Sequence, residues 1–150
     1  DDAEHGVALG WPGRLLGGLF GRFVIEKDNA AHLGAINLKH TGTLPLVEAA
    51  RLLALREGIS ETSTRTRLEG LRQRGLIDAD DADYLVAALD HITTLLLRRQ
   101  IADFKANTPV SNYVHPDTLT ARERDHLVES FKAINRLRDQ VKSEFTGDVF

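Results

Sequence analysis

Residues 36–55 read INLKHTGTLPLVEAARLLAL, a polar turn that leads straight into a strongly patterned helix. Pro45 lies at a position typical of the first turn of a helix, where the N–H that proline lacks has no partner. Leu and Ala then fill most sides of the helix, and Gly58 is suited to end it. The pattern therefore predicts a largely buried helix that starts just after the Asn-Leu-Lys-His turn.

Three further helices follow in the predicted fold. Residues 63–74 form one helix, which Gly75 ends in the same way. Residues 78–105 form a long helix of roughly 40 Å, because each residue adds about 1.5 Å, and aspartates favour its start. A capping box at residues 120–123 opens the last helix, which runs to about Phe145. No segment shows the alternation of apolar and polar residues that is typical of a strand. We therefore predict an all-α fold, a helical bundle of four to five helices with one long central helix.

The N-terminal part of the chain has a weaker pattern. Apolar residues recur at helical spacing between Trp11 and Val24, and they include Leu15, Leu16, Leu19, Phe20 and Phe23. Glycines within this segment each weaken a helix by about 1 kcal/mol relative to alanine. We predict a short helix within an N-terminal linker, residues 1–34, that leads toward an upstream domain, and a helical domain over residues 35–150. The chain starts at Asp1 and has no methionine, so we expect it to be part of a longer protein.

Composition and charge exclude several classes of function. Apolar residues make up 42% and charged residues 27% of the chain, which is ordinary for a soluble globular domain. The net charge of −3 does not indicate a positively charged surface that would bind nucleic acid or an anionic membrane. Neither is therefore an expected partner. No targeting or transmembrane segment is evident, and the absence of cysteine is compatible with the cytoplasm, which is the expected compartment.

The sequence contains no recognisable catalytic constellation. Its six histidines never pair at the i, i+3 or i, i+4 spacing that helical metal ligands use, so no metal site is predicted. It has no nucleophile elbow and no glycine-rich strand-to-helix phosphate loop. We therefore expect no catalytic residue within this chain.

Several arginines lie in mostly apolar surroundings. Arg51 is in the middle of the first helix, and Arg67 follows two threonines. Arg98, followed by Arg99 and Gln100, interrupts the apolar stripe of the long helix. A guanidinium in such a setting needs a carboxylate, a carbonyl or a ligand anion, because burying it unpaired is very costly. Internal ion pairs and contacts to a phosphate-bearing ligand are both open, and the acids available for internal pairs are Glu48, Glu69 and Asp90.

Lys39 and His40 form a second candidate site. They lie just before the predicted start of the first helix, where free backbone N–H groups favour anions. Such turns are often functional, but a polar turn at the surface is equally typical of a solvated connection. A ligand site and a solvated turn are therefore both open for these two residues.

The chain resembles a known family in an ordered set of sequence blocks. The blocks are INLKHTGTLPLVEAARLLAL at 36–55, TRTRL at 64–68, LRRQ at 97–100, NYVHP at 112–116 and LTARER at 119–124. In this order they resemble the putative nucleotidyltransferase substrate-binding domain, over about residues 35–141. That family occurs C-terminal to a nucleotidyltransferase domain related to the protein-PII uridylyltransferases, often behind cyclic-nucleotide-binding and CBS-pair modules.

The resemblance implies a helical bundle that packs beside the catalytic domain and closes one wall of its cleft. Family enzymes combine a Gly-Ser motif with paired aspartates that hold Mg²⁺ in the catalytic domain, and this combination is absent from the chain. Mg²⁺ and a nucleoside triphosphate are therefore expected for the parent enzyme, and the chain alone should be inactive. The residues that match the family's polar pattern are Lys39, Arg51, Arg67, Arg98 and Gln100. Together with His40 they form the predicted substrate- or nucleotide-binding set.

One position departs from the family, and a second hypothesis stays open. The family usually has an acidic residue where this chain has Asn37, so no charge-dependent role is implied there. The second hypothesis is a non-catalytic interaction domain, which relays signals from upstream CBS or cyclic-nucleotide-binding modules or forms a homodimer through its long helix. The first hypothesis differs from it in predicting that Arg51, Arg67 and Arg98 converge on one face.

Overall fold

Four α-helices and a short two-stranded ribbon make up the part of the chain, residues 29–147, that this computed structural model describes. The helices are α1 (Leu44–Arg56), α2 (Thr64–Gln73), α3 (Ala79–Lys105) and α4 (Ala121–Gly147). The strands are β1 (Ile36–Asn37) and β2 (Tyr113–Val114). The prediction of an all-α helical bundle is confirmed. The predicted helix between Trp11 and Val24 lies outside the described residues, and the division at residue 34 stays a prediction.

Side-chain caps and glycines set the predicted helix boundaries. Ser63 and Asp78 accept hydrogen bonds from backbone N–H groups in the first turns of α2 and α3. The N–H of Thr120 donates to the Glu123 carboxylate at 2.9 Å, and the N–H of Glu123 donates to Thr120 Oγ1 at 3.1 Å. This reciprocal pair is the predicted capping box. Gly75, with φ of 75°, follows α2 in the left-handed conformation that favours glycine.

The helical path into α1 begins earlier than predicted, in a π-helical turn at Lys39–Thr43. The N–H of Leu44 donates to the carbonyl of Lys39, five residues back, which is the π pattern. The wider turn suits Pro45, because in a regular helix its ring would clash with the carbonyl four residues earlier. Lys39 and His40 therefore precede α1 as predicted, but they lie in this π-helical turn and not in a non-helical one.

Helix α1 buries one side only. Its buried residues are Leu46, Ala49, Ala50, Leu53 and Ala54. Leu52 is 44% exposed and Leu55 is 64% exposed. The prediction of a largely buried helix is therefore wrong for the side that carries these two leucines, which no described element covers.

The β1–β2 ribbon was not predicted, because two-residue strands are too short to show alternation. Ile36 pairs with Val114 and Asn37 with Tyr113 in antiparallel register. His32 stacks on the ring of Tyr113 at a centroid distance of 4.0 Å. The ribbon therefore fastens the loop between α3 and α4 to the chain that enters α1.

The core lies around α3, which packs against α4, α2 and the π turn. Helix α1 packs against α2 and α4. The largest fully buried side chains of the bundle helices are Leu46, Leu53, Leu68, Leu71, Leu85, Ile92, Leu95, Leu127 and Ile134. Full burial of each such side chain stabilises the fold by about 1.5–3 kcal/mol, so the apolar stripes of all four helices contribute.

Candidate functional site

Hydrogen bonds among Asn37, Leu38, His40, Gln100 and Asn112 form a polar junction beside the C-terminal half of α3. This junction joins three of the sequence blocks. Gln100 donates a hydrogen bond from Nε2 to Asn112 Oδ1 over 3.2 Å. The carbonyl of Asn112 accepts the backbone N–H of Leu38 at 3.1 Å, which extends the ribbon toward α1. Asn37 Oδ1 then accepts the N–H of His40 at 3.1 Å. The junction fixes the entry of α1 against α3, and it occupies one of the N–H groups that the sequence suggested for an anion.

A buried carboxylate holds the loop that completes this junction. Asp103 is 4% exposed, and its Oδ2 accepts the backbone N–H of Ser111 at 3.0 Å. Its Oδ1 lies 3.0 Å from Arg99 Nε, an ion pair without hydrogen-bond geometry. Sequence reasoning missed Asp103. The available signal was its distance of three helical turns from the core residue Ile92, which places both residues on one helix face.

An open groove, here the α1–α4 groove, runs between α1 and α4 beside this entry. Its volume of about 810 Å³ is within the usual range for small-molecule sites. Its apolar lining consists of Leu44, Pro45, Ala49, Leu52 and Val141. Its polar lining consists of His40, Glu48, Asn135, Arg138, Asp139 and Lys142. The groove therefore combines an apolar surface with two cations, two carboxylates and one imidazole.

Three of the predicted site residues have side chains available for a ligand. His40 lines the α1–α4 groove, and only its backbone N–H is used in the junction. Lys39 and Arg51 are exposed, and their side chains form no ion pair or hydrogen bond with another described residue. Arg51 follows the groove residue Glu48 by three positions, so the two lie on the same side of α1.

The other three predicted residues make contacts within the fold. Arg67 donates from Nε to the carbonyl of Glu61 at 2.9 Å. Arg98 forms a two-point ion pair with Glu123, with N–O distances of 2.6 and 3.2 Å. Gln100 belongs to the polar junction. Arg51 is on α1, Arg67 on α2 and Arg98 on α3, and their convergence on one face stays a prediction.

The acids predicted as internal partners of these arginines have other roles. Glu69 pairs with Arg72, and Asp90 pairs with Arg65. The partner of Arg98 comes instead from α4, which packs along α3. An ion pair between different helices depends on the tertiary packing, so spacing along the sequence could not show it.

The chain matches a protein family over a range that includes all five sequence blocks quoted in the sequence analysis. Residues 4–145 match the family described as putative nucleotidyltransferase substrate binding domain. The chain belongs to this family. No curated protein and no solved structure matches the chain. Within the described residues, no helix of the substrate-binding domain is long and apolar enough to cross a bilayer.

A charged cluster links α3 and α4 of the substrate-binding domain away from the groove. Hydrogen bonds from Arg98, and then from the backbone N–H of Thr120, lower the pKa of Glu123 to about 2. Nε2 of His91 lies 3.1 Å from the carbonyl of Glu123, and the His91 ring stacks on His126 at 4.0 Å. Burial is the main cause that lowers the pKa of His91. This histidine pair joins two helices, so the sequence spacing could not reveal it.

No group of three or more His, Asp or Glu side chains within residues 29–147 is arranged to hold a metal ion. Arg138 and Lys142 of the groove were missed by sequence reasoning, because they lie on α4 and meet α1 only in the folded bundle. Their spacing of four residues on one helix side was the only available signal.

Proposed function

We propose that this substrate-binding domain closes one wall of the active-site cleft of an upstream catalytic domain related to the protein-PII uridylyltransferases, and that the α1–α4 groove faces the substrate. The groove carries this proposal, because it places the cations Arg138 and Lys142 beside an apolar surface. Lys39 in the π-helical turn and Arg51 on α1 are further exposed cations. A nucleotide has the matching combination of a flat, largely apolar base and anionic phosphates.

The chemistry of nucleotidyl transfer indicates which groups this domain supplies and which groups the catalytic domain supplies. Fixed positive groups stabilise the negative charge that develops on a transferring phosphoryl group. The described residues do not fit a metal site. We therefore assign Mg²⁺ to the paired aspartates that the family resemblance implies for the catalytic domain, where it would bind the phosphates of a nucleoside triphosphate. The substrate-binding domain contributes side chains that bind and orient.

The decisive experiment compares the parent enzyme with its Arg138→Ala/Lys142→Ala variant. We expect the rate of nucleotidyl transfer at low substrate concentration to fall by about tenfold or more, with a raised KM, because charge-assisted contacts to phosphate are lost. Both side chains lie on the surface of α4, so the free energy of unfolding should change by less than about 0.5 kcal/mol.

Arg122→Ala is the matched control for this experiment. Arg122 is an exposed residue of α4 at a different surface, lined also by Tyr84 and His126. Its removal changes the net charge in the same direction but should leave the transfer rate unchanged. A double variant that transfers as fast as the wild type, with the same KM, would contradict the assignment of the groove.

A second candidate function is a non-catalytic interaction domain. It would relay signals from upstream CBS or cyclic-nucleotide-binding modules or form a homodimer through α3. The observation in its favour is an apolar stripe on α3 formed by Leu97, Ile101 and Phe104, each more than half exposed. Sedimentation that shows a monomer at every concentration would count against the homodimer.

A further inference from the structure

The two helices that form the α1–α4 groove run side by side in the same direction. Gly42, just before α1, packs against α4, because a Cβ at this glycine would lie 3.5 Å from Phe131 Cε1. At the other end of α1, the guanidinium of Arg56 lies 5.5 Å from the centre of the Phe145 ring. The first turn of α1 therefore lies beside the part of α4 that follows Phe131, and the last turn of α1 lies beside Phe145.

Asn135 lies at the end of the groove where α1 begins. It follows Phe131 by four residues, about one helical turn, so its neighbours across the groove are Leu44 and Pro45 in the first turn of α1. Asn135 is half-buried. The other polar residues that line the groove are exposed, and they are His40, Glu48, Arg138, Asp139 and Lys142. The most shielded polar group of the groove therefore lies beside an apolar surface.

The side-chain amide of Asn135 forms no hydrogen bond with another described residue. A polar group that is partly shielded from water is costly unless a partner satisfies it. The amide offers a carbonyl acceptor and an NH2 donor side by side. Neighbouring donors and acceptors on the edge of a nucleic-acid base match this pair, as in the two-point contact of asparagine with adenine. The amide is therefore available to a base that enters the groove.

The cations of the groove lie farther along α4. Arg138 and Lys142 follow Asn135 by three and seven residues, so all three lie on one side of the helix. At about 1.5 Å per residue, the two cations lie about 4.5 and 10.5 Å beyond Asn135 along the helix axis. Among the described residues that line the groove, no lysine or arginine lies at the Asn135 end. One end of the groove therefore combines an amide with apolar side chains, and the rest of α4 carries positive charge.

We propose that Asn135 binds the base of the nucleotide and determines which base is selected, while the phosphates extend along α4 to Arg138 and Lys142. This inference rests on the proposed function, because it gives the direction in which a nucleotide lies in the groove. A base beside Leu44 and Pro45 removes apolar surface from water and pairs the Asn135 amide. The opposite direction would place the phosphates against an apolar surface and leave both cations beside the base.

Equilibrium binding of ATP, CTP, GTP, UTP and inorganic triphosphate to the parent enzyme with Mg²⁺ tests this assignment. We expect the wild type to bind its preferred nucleotide about tenfold more tightly than the weakest one, which is the scale of a two-point contact to a base. Asn135→Leu has a similar size but no amide, and it should reduce this ratio to about threefold or less. Its dissociation constant for inorganic triphosphate, which has no base, should stay within about twofold of the wild-type value. Nucleotide ratios that are the same in Asn135→Leu and the wild type would overturn the proposal.

The Arg138→Ala/Lys142→Ala variant is the reciprocal control. It should weaken the binding of inorganic triphosphate and of all four nucleotides by a similar factor, about tenfold or more, and leave the ratios among the nucleotides unchanged. If this variant binds all five probes like the wild type, the proposed function itself fails. If it weakens binding while Asn135→Leu keeps the wild-type ratios, only the role of Asn135 fails.

Urea unfolding of Asn135→Leu separates base binding from a structural role. The amide has no partner among the described residues, so its replacement by an apolar side chain should leave the urea midpoint at or above the wild-type value. A lower midpoint, together with weaker binding of inorganic triphosphate, would mean that Asn135 maintains the shape of the groove. That result would overturn the proposal.

Discussion

Gly42 lies buried in the π-helical turn before α1, where the backbone packs directly against Ile92 and Phe131. A Cβ at this position would lie 2.8 Å from Ile92 Cδ1 and 3.5 Å from Phe131 Cε1. Ile92 is fully buried, so it has little room to move. We expect Gly42→Ala to lower the free energy of unfolding by about 1–2 kcal/mol, because overpacking outweighs the higher helix propensity of alanine. Urea unfolding measures the change.

The control for Gly42→Ala is a double-mutant cycle with Ile92→Val, which removes the clashing methyl group. Ile92→Val alone should cost about 0.5–1.5 kcal/mol, as a methyl deletion in a core. In the Gly42→Ala background the same substitution should cost less, because it relieves the overlap. Strictly additive effects would show that the π turn moves away from α3 instead.

The C-terminal end of α3 depends on the buried carboxylate of Asp103. Its Oδ2 accepts the N–H of Ser111, which holds the loop that leads to β2, and its Oδ1 pairs with Arg99 within α3. We expect Asp103→Ala to lower the free energy of unfolding by about 2–4 kcal/mol, because it leaves a partly buried cation and an N–H without partners. Amide hydrogen exchange at Ser111 should accelerate in the variant.

Asp90 provides a matched control on the same helix. It pairs with Arg65, and both side chains are more than half exposed. Asp90→Ala should therefore cost less than about 1 kcal/mol, as expected for a surface ion pair. An equal decrease in the free energy of unfolding for Asp103→Ala and Asp90→Ala would mean that the ribbon, and not Asp103, holds the loop after α3.

Across the described residues, features that depend on neighbouring residues could be predicted from the sequence. Contacts between distant parts of the chain could not. Caps and glycines act within a few residues, so the boundaries of α2 and α3 followed from Asp78 and Gly75. The β1–β2 ribbon and the pairing of Arg98 with Glu123 join distant parts of the chain, and no spacing in a single sequence encodes them. The same limit applies to the candidate site. His40 was predicted from its own segment, whereas the α4 side of the groove becomes visible only when the helices pack.

Stability at acid pH depends on the charged cluster that joins α3 and α4. The pKa of Glu123 falls from an ordinary value of 4.5 to about 2 in the folded state. Its contribution to stability is therefore present above about pH 4.5 and is lost as the pH falls toward about 2. Glu123→Gln keeps a residue suited to the capping box but removes the charge that pairs with Arg98. We expect the variant to be less stable at neutral pH, by about 1 kcal/mol or less because Arg98 is half exposed.

Urea unfolding over a range of pH should show the difference between Glu123→Gln and the wild type shrinking within that acid window. His91 supplies the control, because its ordinary pKa of 6.5 is lowered, mainly by burial, in the folded state. Its protonation is disfavoured in the folded protein, so it lowers stability as the pH drops below about 6.5. His91→Gln should flatten that milder step and leave the loss below about pH 4.5 in place. A stability difference for Glu123→Gln that is the same at every pH would show that solvent fully screens the Arg98–Glu123 pair.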